Sequence, residues 1–259
     1  MSPEHPAYGR LRQVTPTAAV LLADNPGKMT LDGTNTWILR APGSKDCVVV
    51  DPGPKDGGHL DAVAATGNVV LVLVTHRHKD HTGGLKKFHR RTGAPVRAWS
   101  KEFVHGSTPL SDGETMDVAG VSITVHATPG HTADSVSFVL DDAVLTGDTI
   151  LGRGTTVLDP KDGSLGDYLS SLDRLETVGK GRIALPGHGA EVADTAEVTR
   201  FYRTHRLERL AQVEAALDEL GQDAKPMQVV KHVYADVDKK LWPAARMSVK
   251  TQLAYLREN

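Results

Sequence analysis

The stretch THRHKDHTGG, residues 75–84, places His76, His78, Asp80 and His81 within six positions. Imidazole and carboxylate together form the donor set of zinc and other borderline divalent metals. In an extended segment residues i, i+2 and i+4 point to one side. His76, His78 and Asp80 then share a side, while Arg77 and Lys79 face away, where their charges reach water. His81 joins the group only if the chain turns, and Thr82-Gly83-Gly84 supplies a turn. Three more residues of the same kind lie far along the chain: His131 in TPGH, Asp148 in TGDT and His188 in PGHG. Each alone reads equally well as a loop or turn residue.

What joins them is where they fall relative to the elements. The β-branched runs predict strands over 17–23, 34–41, 46–51, 69–74, 95–99, 121–127, 135–140, 143–147 and 182–186. VSITVHA alternates as a half-buried strand does, whereas VVLVLV and CVVV are continuous, as in strands covered on both faces. SVSFVL-DD-AVLTG reads as a tight hairpin. Helices are predicted over 57–65, 84–92 and 168–178, the last with Leu169, Leu172, Leu175 and Val178 in one stripe. The pattern predicts a layered α/β architecture up to residue 195 and helices from 196 to 259. VVLVLV runs into the histidine cluster, VSITVHA towards His131, AVLTG into Asp148 and RIALP into His188. If those strand ends share one edge, all seven side chains converge there, in loops presented by a rigid scaffold. His5, His59, His89, His105, His126, His205 and His232 fall outside this pattern and are expected to be surface or structural.

Composition sets the frame. The chain has 259 residues, 39 % hydrophobic and 24 % charged, with a net charge of −2, which argues against a generally basic nucleic-acid coat. Residues 200–259 carry 11 Lys and Arg against 8 Asp and Glu, a net of +3. That tail fits either a basic appendage or a solvated helical face. With one cysteine, Cys47, no intrachain disulfide forms, and its apolar neighbours predict a small buried hydrophobe. The N-terminal MSPEHPAYGRLRQ lacks an apolar core, so no signal peptide is expected. Apolar runs are too short for a membrane span. A cytoplasmic protein without a membrane partner is the expectation.

THRHKDHTGG resembles the His-x-His-x-Asp-His signature of the metallo-β-lactamase superfamily, and TPGH, TGD and PGHG resemble its remaining ligand motifs in the same order. The resemblance covers roughly residues 15–195. It implies a four-layer αββα sandwich with a metal site at one edge. It also implies two zinc ions per chain, one held by His76, His78 and His131, the other by Asp80, His81 and His188, with Asp148 bridging. No ligand position is missing. Asp148 stands where true two-zinc β-lactamases usually carry Cys, which turns the reading away from antibiotic hydrolysis. His78 stands where diiron relatives carry Glu, which favours zinc.

Residues 25–39 and 148–158 resemble the beta-lactamase-like protein 2 branch, whose animal members are endoribonucleases acting on single-stranded RNA. That branch carries a C-terminal winged-helix-like domain, and residues 205–217 with the segments after them are similar to it. The last predicted helix runs close to Asn259, so any β-wing is expected to be short or absent. By the same resemblance Thr34, Asn35, Thr36, Thr155 and Thr156 are candidate substrate contacts, and Arg153, between two glycines, a candidate cation for an anionic substrate.

Two zinc ions sharing a water lower its pKa to about 7. Asp80, as ligand and hydrogen-bond partner, is placed to take the proton released on attack. Asp51, ending DCVVVD, is either an acceptor that orients a ligating imidazole or the first residue of an Asp-Pro-Gly turn. The resulting expectation is a two-zinc hydrolase cleaving single-stranded RNA. The alternative is a thioesterase or ester hydrolase of the glyoxalase II or acyl-carrier kind, since the same nucleophile serves both. Arg200, Arg203, Arg206 and Arg209, three residues apart, either meet phosphates or flank a helix packed on the core. A third reading is a nucleic-acid-binding regulator with a structural metal site, which four closed ligands would serve better.

Overall fold

The computed structural model describes residues 8–258; His5, the first part of the stretch read for a signal peptide, and Asn259 lie outside the described residues. Six strands lie side by side in chain order in a first sheet: β1 Arg12–Gln13, β2 Ala18–Leu22, β3 Asn35–Leu39, β4 Asp46–Val50, β5 Asn68–Leu73 and β6 Val96–Arg97. A second sheet holds β7 Thr115–Val118, β8 Val121–Ala127, β9 Val136–Val139, β10 Ala143–Gly147 and β11 Ile183–Pro186, in the spatial order β11-β10-β9-β8-β7. The helices are α1 Gly57–Ala64, α2 Lys79–Thr82, α3 Leu85–Thr92, α4 Leu165–Val178, α5 Thr195–Leu220, α6 Pro226–Val233 and α7 Trp242–Glu258.

The continuous apolar strands are explained by two cores. Val48, Val50, Leu71 and Leu73 face the second sheet and meet Ile123, Val125, Phe138 and Leu145. Their neighbours Cys47, Val49, Val72 and Val74 face the other way, onto Leu60 and Val63 of α1 and Leu85 and Phe88 of α3. Successive residues of a strand serve opposite faces, so a strand buried on both sides has no polar position. Cys47 is wholly buried in the second of these cores, and burial pushes its thiol up. The outer face of the second sheet is covered by Tyr168, Leu172 and Leu175 of α4 and Tyr202 of α5. Helix, sheet, sheet, helix is the four-layer αββα sandwich.

Two strands were not legible. β7 is an edge strand, half-buried at best, and only Met116 and Val118 touch the core. β1 spans two residues. The hairpin of β9 and β10 forms as read, antiparallel with Val139 opposite Val144. α4 starts at Leu165, earlier than its leucine stripe, because the Ser164 hydroxyl accepts from the Asp167 amide and caps it. Residue 195, where the sequence turns helical, is the first of α5. The first half of α5 packs on α4; its second half joins α6 and α7 around Val213, Leu217, Val230, Val249 and Leu253. Among the described residues no strand follows α5, and no helix is long and apolar enough to cross a membrane.

His59 of α1 gives the fold a pH dependence. It is buried, and its Nε2–H donates to the Thr36 hydroxyl at 2.8 Å, which itself donates to the Asp51 carbonyl at 2.7 Å. Burial outweighs the pull of Asp56 and lowers the imidazole from 6.5 to about 4. The folded protein then holds His59 neutral where the unfolded chain protonates it. Stability is full above pH 6.5 and falls as pH drops towards 4, by up to about 3 kcal/mol. The urea midpoint of His59→Gln should fall less between pH 7 and 5 than that of the parent. Parallel losses in the two proteins would refute the assignment.

Candidate metal centre

The seven residues singled out by type lie together, at one edge of the two sheets. β5 leads through Thr75 into His76 and His78, Asp148 directly follows β10, His188 follows β11 by two residues, and the turn after β8 delivers His131. His76, His78, His131 and Asp148 form one group; Asp80, His81 and His188 form the other, the ligand atoms of each lying within 4.8 Å of one another. His76 Nε2 and His131 Nε2 stand 3.0 and 3.1 Å from His78 Nδ1. Asp80 Oδ2 stands 3.2 Å from His81 Nε2 and 3.1 Å from His188 Nε2. The Asp148 carboxylate sits between the groups, with Oδ2 at 3.8, 3.7 and 3.3 Å from His76, His131 and His188, and Oδ1 at 3.5 Å from His81.

One detail corrects the sequence reading. The segment is not extended through Asp80: the chain turns into α2 after His78, so His76 and His78 serve the first group and Asp80 and His81 the second. Arg77 does not simply reach water either. It pairs with Asp162 at 2.8 Å and Asp159 at 3.1 Å.

A second layer fixes which nitrogen of each ring faces inward. His131 Nδ1–H donates to the Val157 carbonyl at 2.8 Å and His188 Nδ1–H to the Gly33 carbonyl at 2.9 Å. His78 Nε2–H donates to Asp159 at 2.8 Å, leaving its Nδ1 for the cluster. His81 Nδ1–H donates to Asp51 Oδ2 at 2.8 Å. Thr75 donates its hydroxyl to the same oxygen at 2.6 Å and its amide to Oδ1 at 2.8 Å, and its Oγ1 accepts from His76 Nδ1–H at 3.0 Å. Asp51 thus orients two rings, one directly and one through Thr75. Its turn role is also real, at φ 54°, a left-handed conformation that Asp tolerates better than most residues. Sequence reasoning missed Thr75 and Asp159. Asp159 carried one faint signal: like Asp51, it precedes a proline.

The donor set fits metal ions on this structure's own terms. His81 Nε2 and Asp148 Oδ1 are buried and have no hydrogen-bond partner among the described residues. Bare, the cluster must meet its carboxylates with protons. Burial pulls His188 down, but Asp148 and Asp80 outweigh it and lift the ring to about 9. Against the same burial, Asp80, Asp148 and Asp51 raise His81 well above its usual value. Burial holds His131 down at about 4. Divalent cations answer the same negative charge while using the lone pairs that protons would block.

The candidate substrate contacts separate. Thr34 is buried; its hydroxyl lies 3.4 Å from Asp80 Oδ2 and accepts from Asn25. Asn35, also buried, donates to the Pro186 and Gly189 carbonyls and so ties down the loop bearing His188. Thr36 faces Asp51 and His59, away from the cluster, and Thr156 contacts His131 Nδ1 at 3.1 Å. Arg153 is exposed and forked onto Asp32. Thr155 and Arg153, with Met29, Leu31 and Leu151, line a small cleft of about 100 Å³ that reaches His131 and Asp148.

Residues 29–188 match the Metallo-beta-lactamase superfamily, across more than half of the chain. The chain belongs to the metallo-beta-lactamase superfamily. Residues 226–259 match the beta-lactamase associated winged helix domain. This superfamily member is 31 % identical to a beta-lactamase-like protein 2 homolog of Drosophila melanogaster, over 98 % of the chain and 91 % of the relative. It is 32 % identical to an atrochrysone carboxyl ACP thioesterase of Aspergillus chevalieri, over 96 % and 84 %. A crystal structure of a metallo-beta-lactamase family protein from Thermus thermophilus shares its fold with a TM-score of 0.75, at 24 % identity and 94 % coverage of both chains. The protein is accordingly a superfamily metallo-hydrolase with a His/Asp cluster able to bind metal.

Proposed function

We propose that this hydrolase carries two zinc ions and cleaves a compact thioester or ester in the cytoplasm. His76, His78 and His131 would hold one ion, Asp80, His81 and His188 the other, and Asp148 would contact both. Such a pair supplies a nucleophilic hydroxide at neutral pH and charge stabilisation at the acyl oxygen. Asp80 is the most open carboxylate of the cluster, its side chain 25 % exposed, and its Oδ2 is placed to orient the attacking water and receive its proton. Asp51, Asp159 and the carbonyls of Gly33 and Val157 keep the rings aimed.

The observation that carries the substrate class is the state of the arginine stripe. Arg200 pairs with Glu176 and Arg203 with Asp173 of α4, and Arg206 is buried beneath the site. Arg153, at the cleft, is spent on Asp32. Arg200, Arg203 and Arg153, already tied to carboxylates, are poor partners for a phosphate backbone, and among the described residues only Arg206 and Arg209 of the stripe and Lys28 of the cleft lack an ion pair. Met29, Leu31, Leu151 and Val157 give the cleft one apolar wall. The likeness to a protein named as an acyl-carrier thioesterase supports the same class. Cleavage of single-stranded RNA is the second reading, favoured by the likeness to beta-lactamase-like protein 2 homologs over nearly the whole chain. A catalytic unit over 1–195 and a helical, winged-helix-like unit over 196–259 are part of the proposal.

The test offers the zinc-loaded protein a panel of S-acyl-N-acetylcysteamine thioesters and a labelled single-stranded RNA, beside an Asp80→Ala/His81→Ala variant. Thioester turnover should fall about 1,000-fold or more in the variant, with the RNA left intact by both proteins. RNA cut by the parent alone would establish the second reading instead. Inertness towards both substrates would sink both readings.

A further inference from the structure

A second cavity lies against the catalytic edge. It has a volume of about 430 Å³, is partly open to solvent, and is bounded by residues 154–157, by α5 and α7, and by Tyr234, Val237 and Leu241 from the segment between α6 and α7. Residues 154–157 also wall the cleft beside the cluster, so the two spaces share a wall.

Its lining contains a charge that the protein leaves unanswered. Arg206 is 5 % exposed and forms no ion pair among the described residues. Its guanidinium donates to the Thr156 carbonyl and lies 5.1 Å from the centre of the Tyr168 ring, while Nε is buried with no partner. A buried guanidinium without a carboxylate is costly. No residue lining the cavity is acidic, and Arg209 adds a second positive charge. Two more lining side chains hold buried polar atoms without partners, Gln252 Oε1 and His205 Nδ1. Gln252 is 2 % exposed. Val157, Leu241 and Ala245 supply apolar walls.

We propose that this cavity is a ligand site for a small organic anion with an apolar body and a hydroxyl group. The oxyanion pairs with Arg206, the hydroxyl donates to Gln252 Oε1, and the body packs against Val157, Leu241 and Ala245. The volume lies at the small end of the range for ligand pockets. Occupancy reaches the cluster by a short path, because Arg206 holds the Thr156 carbonyl, and Thr156 and Val157 hold His131. The ligand is either the far end of the substrate or a separate effector, and both present the same chemistry.

The probe is 3-(4-hydroxyphenyl)propanoate, titrated calorimetrically into the full chain with and without zinc. Binding should persist without metal, which separates this site from carboxylate binding at the cluster. The corresponding amide, and Ala244→Phe, which puts a large side chain on the cavity wall, should each weaken binding at least about tenfold. Gln252→Leu should erase the preference for the probe over 3-phenylpropanoate. No binding, equal binding of acid and amide, or binding abolished by metal removal would overturn the proposal. Where binding holds, competitive inhibition of thioester turnover marks a substrate subsite and a change in kcat at constant KM marks an effector. The binding arms need no turnover, so their failure is distinct from failure of the hydrolase reading.

Discussion

Gly187→Ala should cut hydrolysis about 100-fold or more while leaving the protein folded. Gly187 stands between β11 and His188, and the added methyl would lie 2.4 Å from Asp148 Oδ1 and 2.8 Å from His81 Cε1. Neither neighbour yields cheaply: Asp148 follows directly on β10, and His81 is wholly buried with its far nitrogen on Asp51. The methyl is accommodated only by moving the Asp148 carboxylate or the His81 ring, or the strand end that carries His188, and each of these disturbs a ligand. Misplacing a reacting group by about 1 Å costs on the order of 100-fold. Metal affinity and turnover should both fall about 100-fold or more. Gly166→Ala is the control. A methyl at Gly166, inside α4, would meet the Tyr255 ring at 3.5 Å, an ordinary contact, and Gly→Ala in a helix is stabilising by about 0.5–1 kcal/mol. Competition with a chromophoric chelator reads affinity, and a thermal melt by circular dichroism reads folding. A Gly187→Ala protein with parental metal affinity would show that the site is softer than its burial implies.

The ease of finding this site in the sequence, and the difficulty of describing it, have one physical origin. His76, His78, Asp80, His81, His131, Asp148 and His188 are legible because ligand chemistry tolerates few residue types and because each follows a strand or its turn. Buried strands such as VVLVLV announce themselves through the cores on both faces. An edge strand such as TMDV, residues 115–118, has one weakly covered face and gives no such signal. Local direction was less legible. Extended spacing put Asp80 beside His76, but one helical turn after His78 sends it to the other group. The partners that aim the rings were the least visible. Asp159 lies 81 residues from His78, and Val157 and Gly33 act through their carbonyls, which no side chain advertises. Thr36 shows the converse: a polar residue beside the candidate contacts Thr34 and Asn35 whose hydroxyl serves the turn at Asp51. The arginine repeat of α5 was legible as a stripe, but only the fold shows Glu176 and Asp173 opposite it.

Asp51→Asn should disarm both metal groups by changing one atom. Asp51 Oδ2 accepts twice, from His81 Nδ1–H and from the Thr75 hydroxyl, while Oδ1 accepts from the Thr75 amide. The Thr75 amide keeps the asparagine oxygen on the Oδ1 side, so the NH2 group takes the place of Oδ2. One of its hydrogens then faces His81 Nδ1, which can accept it only by moving the ring proton to Nε2, the atom aimed at Asp80 and Asp148. The other faces Thr75 Oγ1, whose own proton must turn to His76 Nδ1 and drive that ring's proton to Nε2 as well. Two ligand lone pairs are lost, one in each group, with almost no change in shape. Removing a single such partner costs about 10- to 100-fold in metal affinity or activity, and this change removes two. Thr75→Val breaks only the arm to His76 and should weaken binding less. In the metal-free proteins, followed to alkaline pH so that His81 gives up the extra proton its carboxylates hold, imidazole nitrogen chemical shifts should report the exchanged tautomers of His76 and His81 in Asp51→Asn, with His76 alone perturbed in Thr75→Val. Parental metal affinity in Asp51→Asn would mean that the rings choose their tautomer from the metal side, and that Asp51 holds the turn after β4 and nothing more.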